Sequence, residues 1–345
     1  MPATIYDVAK RAGVSIATVS RVLNESARVK KETRAQVLEA IEALGYQPKA
    51  AARGLATNRT EVIGIVFPNV AGPFFTEIVR GVQREARKYS YHLLIYSVDR
   101  RERSDRLMRV LTNRVDGLIV TSLSVERRHV ADLLEREIPF VITGWQPDAD
   151  RVNSVLPDNR QGVRLMVDHL VAHGYQRIGL IAGPRNMRHG RERYSAYREA
   201  IRTHGLRWDS RYVVRGDFEA ESGRRAMQEL LALPKPPDVV FACSDLMAIG
   251  AIQTIQSHGL SVPDDIAVVG FDDIEQAARA NPPLTTIRQA INEMGVEAVR
   301  LLMQCINDPQ RTPETIVLPT SLVIRRSCGC TPEGLPQNSV SARPS

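Results

Sequence analysis

Apolar positions fall into two regimes along the chain. In residues 4–45 they recur at helical spacing: Ile5, Val8, Ala9 and Ala12 share one face, Val19, Val22 and Leu23 a second, and Val37, Leu38, Ile41 and Leu44 a third. Three helices are predicted. Thr4, three residues before Asp7, opens the first as a capping box, its side chain accepting from an amide of the first turn. Gly13 breaks that helix, and Ser15 is a natural N-cap for the second, over 16–23. The third runs over 31–44 and stops at Gly45, where glycine suits a C-terminal cap.

From residue 61 the pattern changes to short unbroken apolar runs at 62–67, 93–96, 118–120, 140–142, 178–182, 239–242 and 266–269. Their length and lack of alternation predict strands buried on both faces, as in parallel sheets. Helical stretches at 74–89, 160–173, 194–204, 223–231 and 246–258 separate most of them. Strands alternating with helices over this length predict an α/β body, in two lobes rather than one sheet. The expected fold class is therefore a small all-α headpiece followed by a two-lobed body with parallel sheets.

Charge sharpens the division. Residues 1–60 hold ten Lys and Arg against five Asp and Glu, whereas the whole chain of 345 residues carries only +7. A basic end on a nearly neutral body points to an anionic partner for that end. Two short helices joined by a glycine turn and backed by a third make a helix-turn-helix unit. Its second helix exposes Ile16, Ala17, Ser20 and Arg21, which can meet base edges in a major groove of double-stranded DNA. Arg21 can read guanine through two hydrogen bonds, while Ile16 and Ala17 offer apolar contact to thymine methyls.

The string Thr4-Ile5-Tyr6-Asp7-Val8-Ala9-Lys10-Arg11-Ala12-Gly13-Val14-Ser15, followed by Ala17-Thr18-Val19-Ser20-Arg21-Val22-Leu23-Asn24, resembles the headpiece of the LacI/GalR family of bacterial transcription regulators. The resemblance continues to about Ser327. It implies a DNA-binding headpiece over 1–48, with Thr4, Tyr6, Ser15, Ile16, Ala17, Thr18, Ser20, Arg21 and Asn24 at the DNA surface. It implies a hinge over 49–60, in which Ala52-Arg53-Gly54-Leu55-Ala56 becomes helical when two subunits pair on DNA. Arg53 then contacts DNA, and Leu55 wedges into a minor-groove base step, bending the duplex. The body, 61–329, resembles periplasmic binding proteins, with an N-lobe over about 61–160 plus 290–320 and a C-lobe over about 161–289 plus 321–329. Residues 330–345 are expected to be a disordered tail. They carry no leucine heptads that would tie dimers into tetramers, so a homodimer on a palindromic operator is expected.

Ligands of open α/β sheets bind beyond the carboxyl ends of strands. Those ends carry Asn69, Ser97, Asp99, Thr121, Ser122, Ser244, Asp245, Phe271 and Asp272, polar groups that can converge on a polyol or simply cap the following helices. The family resemblance implies effector contacts at Phe74, Phe75, Asp158, Arg193, Phe218 and Asp272, with Gln289 at a chain crossing between the lobes. Arg193 is the implied clamp for vicinal hydroxyls or a carboxylate. Met187 and His189 stand where purine-responsive members carry Arg and Thr, which counts against a purine. The implied effector is a sugar or sugar derivative controlling carbohydrate genes, and the implied activity is repression. The early helices also resemble global catabolite regulators, so control by a protein corepressor is the alternative; a sugar carrier without a DNA role is a weaker one.

Enzyme signatures are missing: the chain has no GxGxxG, P-loop, GxSxG or HExxH motif. His169 and His173 read as a surface pair, and Cys328-x-Cys330 as carrying no metal or redox role, so no metal or other cofactor is expected. Four cysteines give no disulfide framework, and no apolar run approaches a membrane span. With charge met at Asp7, no secretory leader is expected, and the expected compartment is the cytoplasm.

Overall fold

The computed structural model describes residues 3–23, 29–46, 59–67, 72–97, 114–121, 127–144 and 152–330. The expectations for Asn24, Arg53, Leu55, the hinge segment, Asn69, Asp99, Ser122 and residues 331–345 lie outside the described residues. The chain divides into two compact units, 1–61 and 62–345.

The first unit has three helices, α1 (Ile5–Ala12), α2 (Ile16–Leu23) and α3 (Lys31–Leu44). The Asp7 carboxylate accepts both the backbone N–H of Thr4 at 2.8 Å and its hydroxyl at 2.7 Å. The Thr4 hydroxyl therefore donates here. These bonds hold the Asp7 pKa below its ordinary value. Gly13 ends α1 at φ 63°, a left-handed conformation that glycine adopts without strain. Val8, Ala9, Val19, Val22, Val37 and Ala40 form the buried core. Leu38 departs from the expected inward set and is 52% exposed. At 100° per residue it lies a quarter-turn off the stripe of Val37, Ala40, Ile41 and Leu44, and Ala40 takes the core position.

In the second unit the order is β1 (Val62–Phe67), α4 (Pro73–Lys88), β2 (His92–Ser97), β3 (Gly117–Thr121), α5 (Arg127–Glu135), β4 (Phe140–Thr143) and β5 (Asn153–Pro157). Then come α6 (Asn159–Ala172), β6 (Ile178–Ala182), α7 (Arg188–Thr203), β7 (Val213–Arg215), α8 (Ala220–Leu231), β8 (Val239–Ala242), α9 (Asp245–Ser257) and β9 (Ala267–Asp272). The chain closes with α10 (Glu275–Arg279), β10 (Thr285–Gln289), α11 (Ile291–Asn307), β11 (Thr315–Leu318) and β12 (Thr320–Val323).

These strands form two sheets of six, in the orders β11-β5-β4-β3-β1-β2 and β12-β10-β9-β8-β6-β7. All pairings are parallel except β12 on β10. The central strands β3, β6 and β8 are buried at every residue, as unbroken apolar runs require. The chain passes between sheets at Asp158, Ala290 and Pro319, each immediately after the carboxyl end of a strand. Three crossings from carboxyl ends place those two edges opposite one another. Hydrogen bonds stitch two of the crossings together: Asp158 N donates to Leu318 O at 2.9 Å, and Thr320 Oγ1 to Asp158 O at 3.1 Å.

Several boundaries differ from the sequence reading. Asn159 and Arg160, read as N-lobe, begin α6, which packs on the second sheet so closely that a Cβ at Gly162 would meet Ile287 and Phe271 within 3.0 Å. Thr320, also read as N-lobe, already belongs to the second sheet. Helix α7 begins six residues before the expected 194, because Arg188-His-Gly-Arg-Glu-Arg carries no apolar periodicity. Cys330, read as tail, is buried.

Candidate effector cleft and DNA-reading face

On the headpiece, Ser15 caps α2: its Oγ accepts from Thr18 N at 3.2 Å and pairs with Thr18 Oγ1 at 2.9 Å. Val19 and Val22 face inward, which turns Ile16, Ala17 and Arg21 outward on the opposite face. Ile16 is 40% and Tyr6 68% exposed, apolar area that the headpiece leaves to solvent. Ser20 and Thr18 are half-buried beside them, and Thr4 is exposed at the start of α1. Lys10, Arg11, Lys30 and Lys31 add exposed positive charge to the same small unit.

In the body, the carboxyl edge of the second sheet gathers Arg193, Phe218, Asp272 and Gln289, although 96 residues separate the first from the last. Arg193 projects from α7 and is 4% exposed. Its Nε donates to Asn159 Oδ1 at 2.9 Å, and one terminal nitrogen donates to Cys243 O at 2.6 Å and to Asp272 Oδ1 at 3.4 Å. The guanidinium lies 3.6 Å from the Phe271 ring centroid and 5.9 Å from that of Phe218. The charge is thus held by three acceptors and an aromatic face.

Asn159 is the member that the sequence reading missed. Besides accepting from Arg193, its amide nitrogen donates to Glu192 Oε2 at 2.8 Å and meets His189 Nδ1 at 3.0 Å. Burial, reinforced by the Arg193 charge, pushes His189 down to about 3, so its imidazole is neutral. Burial acts against ionisation of Glu192, but its bonds with Arg188 and Asn159 prevail and hold its pKa below the ordinary value. No local signal marks Asn159, because its role depends on α7 packing across the start of α6.

Asp272 is strained and electrostatically loaded. It holds φ 128°, next to Asp273 at φ 58°, while Phe218 holds φ 75°. Non-glycine residues in this region are rare and cluster at functional sites. Burial pushes the Asp272 pKa up to about 6 against the pull of Arg193 and of Gln289, whose Nε2 donates to Asp272 Oδ1 at 2.5 Å. The other amide atom, Gln289 Oε1, is buried with no partner. Behind them Asp245 accepts from Ile274 N at 2.9 Å and pairs with Thr286 Oγ1 at 2.5 Å. Burial, then repulsion from Asp272, pushes Asp245 up to about 8.

Other expected contacts are committed elsewhere. Ser244 Oγ donates to Phe218 O at 3.1 Å and accepts from Met247 N at 3.2 Å, so it caps α9 and braces Phe218. Asp158 accepts from Gln161 N at 2.9 Å as the cap of α6. Phe75 is 8% exposed, its ring 5.2 Å from Phe67 in the N-lobe core. Phe74 is the more open of the two, packed edge-on against Phe75. Ser97 and Thr121 end β2 and β3, and Thr121 Oγ1 donates to Val66 O at 3.1 Å.

His169 corrects the reading of a surface histidine pair. It is buried and lies across from Cys328 and Cys330. Burial pushes its pKa down to about 4. Helical spacing alone left its face open, and the segment that covers it arrives some 160 residues later.

A helix-turn-helix unit carried ahead of a two-lobed α/β body defines a DNA-binding transcription regulator. Residues 4–49 match bacterial regulatory proteins of the lacI family, and residues 167–328 match the periplasmic binding protein-like domain. Over 329 residues the chain is 36% identical to the HTH-type transcriptional repressor PurR of Pasteurella multocida (strain Pm70), covering 94% of this chain and 98% of that protein. It is 34% identical to Catabolite control protein A of Priestia megaterium, with 95% and 99% covered. Among solved structures, the transcriptional regulator CelR–cellobiose complex is 36% identical with a TM-score of 0.74, covering 94% and 99%. The lac repressor dimer bound to operator and the anti-inducer ONPF is 31% identical with a TM-score of 0.85, covering 95% and 99%. The chain belongs to the LacI family of bacterial regulatory proteins, which are DNA-binding transcription regulators and not enzymes. Among the described residues no helix is long and apolar enough to cross a membrane.

Proposed function

We propose that the chain is a homodimeric cytoplasmic repressor of carbohydrate genes whose operator affinity is set by a small uncharged polyhydroxyl effector, a sugar or sugar derivative. The observation that carries this reading is the network of Arg193, Asn159, Asp272 and Gln289. It offers donors and acceptors in alternation, the charges of Arg193 and Asp272 offset each other, and Gln289 Oε1 has a free acceptor position. An effector with several hydroxyls can donate and accept within such a set, whereas an anion would meet a cation already paired. The Phe271 face is covered by the Arg193 guanidinium, which disfavours a stacked nucleobase there. The relative solved with cellobiose supports a saccharide, and the relative solved as a dimer on operator supports the assembly.

Each headpiece places Ile16, Ala17 and Arg21 in a major groove, and Thr4, Tyr6, Ser15, Thr18, Ser20, Asn24 and Arg53 support that contact. Two Leu55 side chains wedge the operator centre. Phe74, Arg193, Phe218, Asp272 and Gln289 surround the effector, with Phe75, Asp158 and Ser244 fixing their positions. Coupling of about 1–3 kcal/mol between cleft and hinge changes operator affinity roughly 5- to 150-fold.

A panel of sugars, sugar phosphates and purines, titrated by calorimetry against the intact protein, tests the effector. One neutral saccharide should bind, and Arg193→Met should abolish its heat. Binding of a purine alone contradicts the reading. So does a panel without binders, together with operator binding that a phosphorylated carrier protein tightens.

A further inference from the structure

The last described segment folds back onto α6 (Asn159–Ala172), and three soft metal-ligating atoms meet there. A 3-10 turn at Arg326–Cys328 is followed by Gly329 at φ 79°, a reversal that returns Cys330 to the side of Cys328. Both thiols face His169: its Nε2 lies 3.5 Å from Cys328 Sγ and 3.7 Å from Cys330 Sγ. All three atoms lie within 4.8 Å of one another, and all three residues are buried.

These separations can be compared with those a metal imposes. Tetrahedral zinc with Zn–S of about 2.3 Å and Zn–N of about 2.0–2.1 Å sets neighbouring N and S ligands about 3.5–3.6 Å apart. The histidine-to-thiol distances are already near that value. Packing of inert thiols needs no such convergence of three donor atoms on one point. The surroundings also suit a site. Thr285 Oγ1 lies 3.0 Å from Cys328 Sγ and 2.9 Å from Arg325 O, which fixes the thiol's place beside β10. Tyr175 OH donates to Cys328 O at 3.0 Å and holds the turn. At His173, which caps the end of α6, the ring centroid is 4.3 Å from that of His169, and its Nε2 is buried with no hydrogen-bond partner.

We propose that His169, Cys328 and Cys330 bind one thiophilic closed-shell cation, Zn(II) or Cu(I), with a fourth position open to His173. Two sulfurs and one imidazole select this class over Mg(II) or Ca(II), which take oxygen ligands. The bound cation pins the segment 326–330 to α6, which begins at Asn159 directly after its cap Asp158. It therefore stiffens the lobe that holds the candidate cleft. This inference is independent of the effector reading, because it concerns the opposite end of α6.

The test uses the intact, untagged protein, reduced and stripped of metal. Zn(II) is titrated against a chromophoric chelator, and Cu(I) is titrated the same way without oxygen. One cation per chain is expected, and the tighter of the two identifies the source. Cys330→Ser and His169→Gln should each lose that equivalent while keeping the wild-type circular dichroism spectrum. Co(II) should give thiolate-to-metal charge-transfer absorption in the wild type and lose it in Cys330→Ser. Bound metal should raise the melting temperature of the wild type and leave that of Cys330→Ser unchanged. No stoichiometric binding by the wild type overturns the proposal, whatever the variants do. Binding that survives both substitutions also overturns it, as does a Cys328–Cys330 disulfide that re-forms in preference to metal.

Discussion

Replacing Arg193 with methionine keeps much of the side-chain volume while removing a buried charge and its donors. The guanidinium donates to Asn159 Oδ1 at 2.9 Å, Cys243 O at 2.6 Å and Asp272 Oδ1 at 3.4 Å. Breaking a buried ion pair costs about 3–5 kcal/mol when the surviving partner stays charged. Asp272 need not stay charged: burial already holds it at about 6, and without the guanidinium its pKa rises further. At neutral pH it takes up a proton, and the main loss is two orphaned acceptors at about 1–3 kcal/mol each, part of it offset by methionine burial. The expected destabilisation is therefore about 2–4 kcal/mol. Proton uptake also fixes the sign of the pH dependence. Above about pH 6 the wild-type Asp272 is ionised and that of the variant is not, so the variant's native state binds more protons. Its deficit then grows by up to about 1.4 kcal/mol per pH unit and levels off below that point. Urea unfolding from about pH 5 to about pH 8 reads both quantities. A deficit below about 1 kcal/mol, or one that shrinks as pH rises, would refute the reasoning about this network.

Three further outcomes are expected. The raised pKa values of Asp245 and Asp272 mean that at these two groups the native state binds more protons than the unfolded chain between 3.8 and about 8, so their contribution to stability is greatest at the low end and falls as pH rises through that window. Asp245→Asn should flatten the upper half of a urea-unfolding profile against pH, and an unchanged slope refutes the assignment. Gly183→Ala places a Cβ 2.3 Å from the Phe218 ring and 3.0 Å from Gly190 Cα, so effector affinity should fall while operator affinity without effector stays the same; competition binding checks both. Arg21→Ala should cost about 1–3 kcal/mol at one base pair of each half-site and relax preference there, read by competition among operator variants at fixed salt; a uniform loss across sequences would make Arg21 a phosphate contact instead.

The headpiece was legible because its helices carry a period, as Val8 with Ala12, Val19 with Val22 and Val37 with Ile41 do, and because Gly13 and Gly45 close α1 and α3 in left-handed turns. Central strands such as Val239–Ala242 were legible because burial on both faces demands unbroken apolar runs. Strands without such runs were not. Thr320–Val323 and Asn153–Pro157 mix polar with apolar residues, and the first pairs with β10 and the second, on one side, with β11 far along the chain. The candidate cleft was legible in part. Family resemblance named Arg193, Phe218 and Asp272, which the fold brings to one edge, but it could not separate Ser244 and Asp158, which cap helices, from residues open to a ligand. Asn159 and His169 stayed hidden for one reason: each acquires its partners only when α6 packs against segments that carry no matching local pattern.

Selection of bound duplexes from a random pool at fixed salt, followed by titration of the selected complex with the effector panel, tests the central claim most directly. The account predicts an enriched palindrome, bound by a dimer, whose affinity one saccharide shifts by roughly 5- to 150-fold, with the shift lost in Arg193→Met. Salt-sensitive binding with no enriched palindrome, or a palindrome that responds to the saccharide equally well without Arg193, would contradict it.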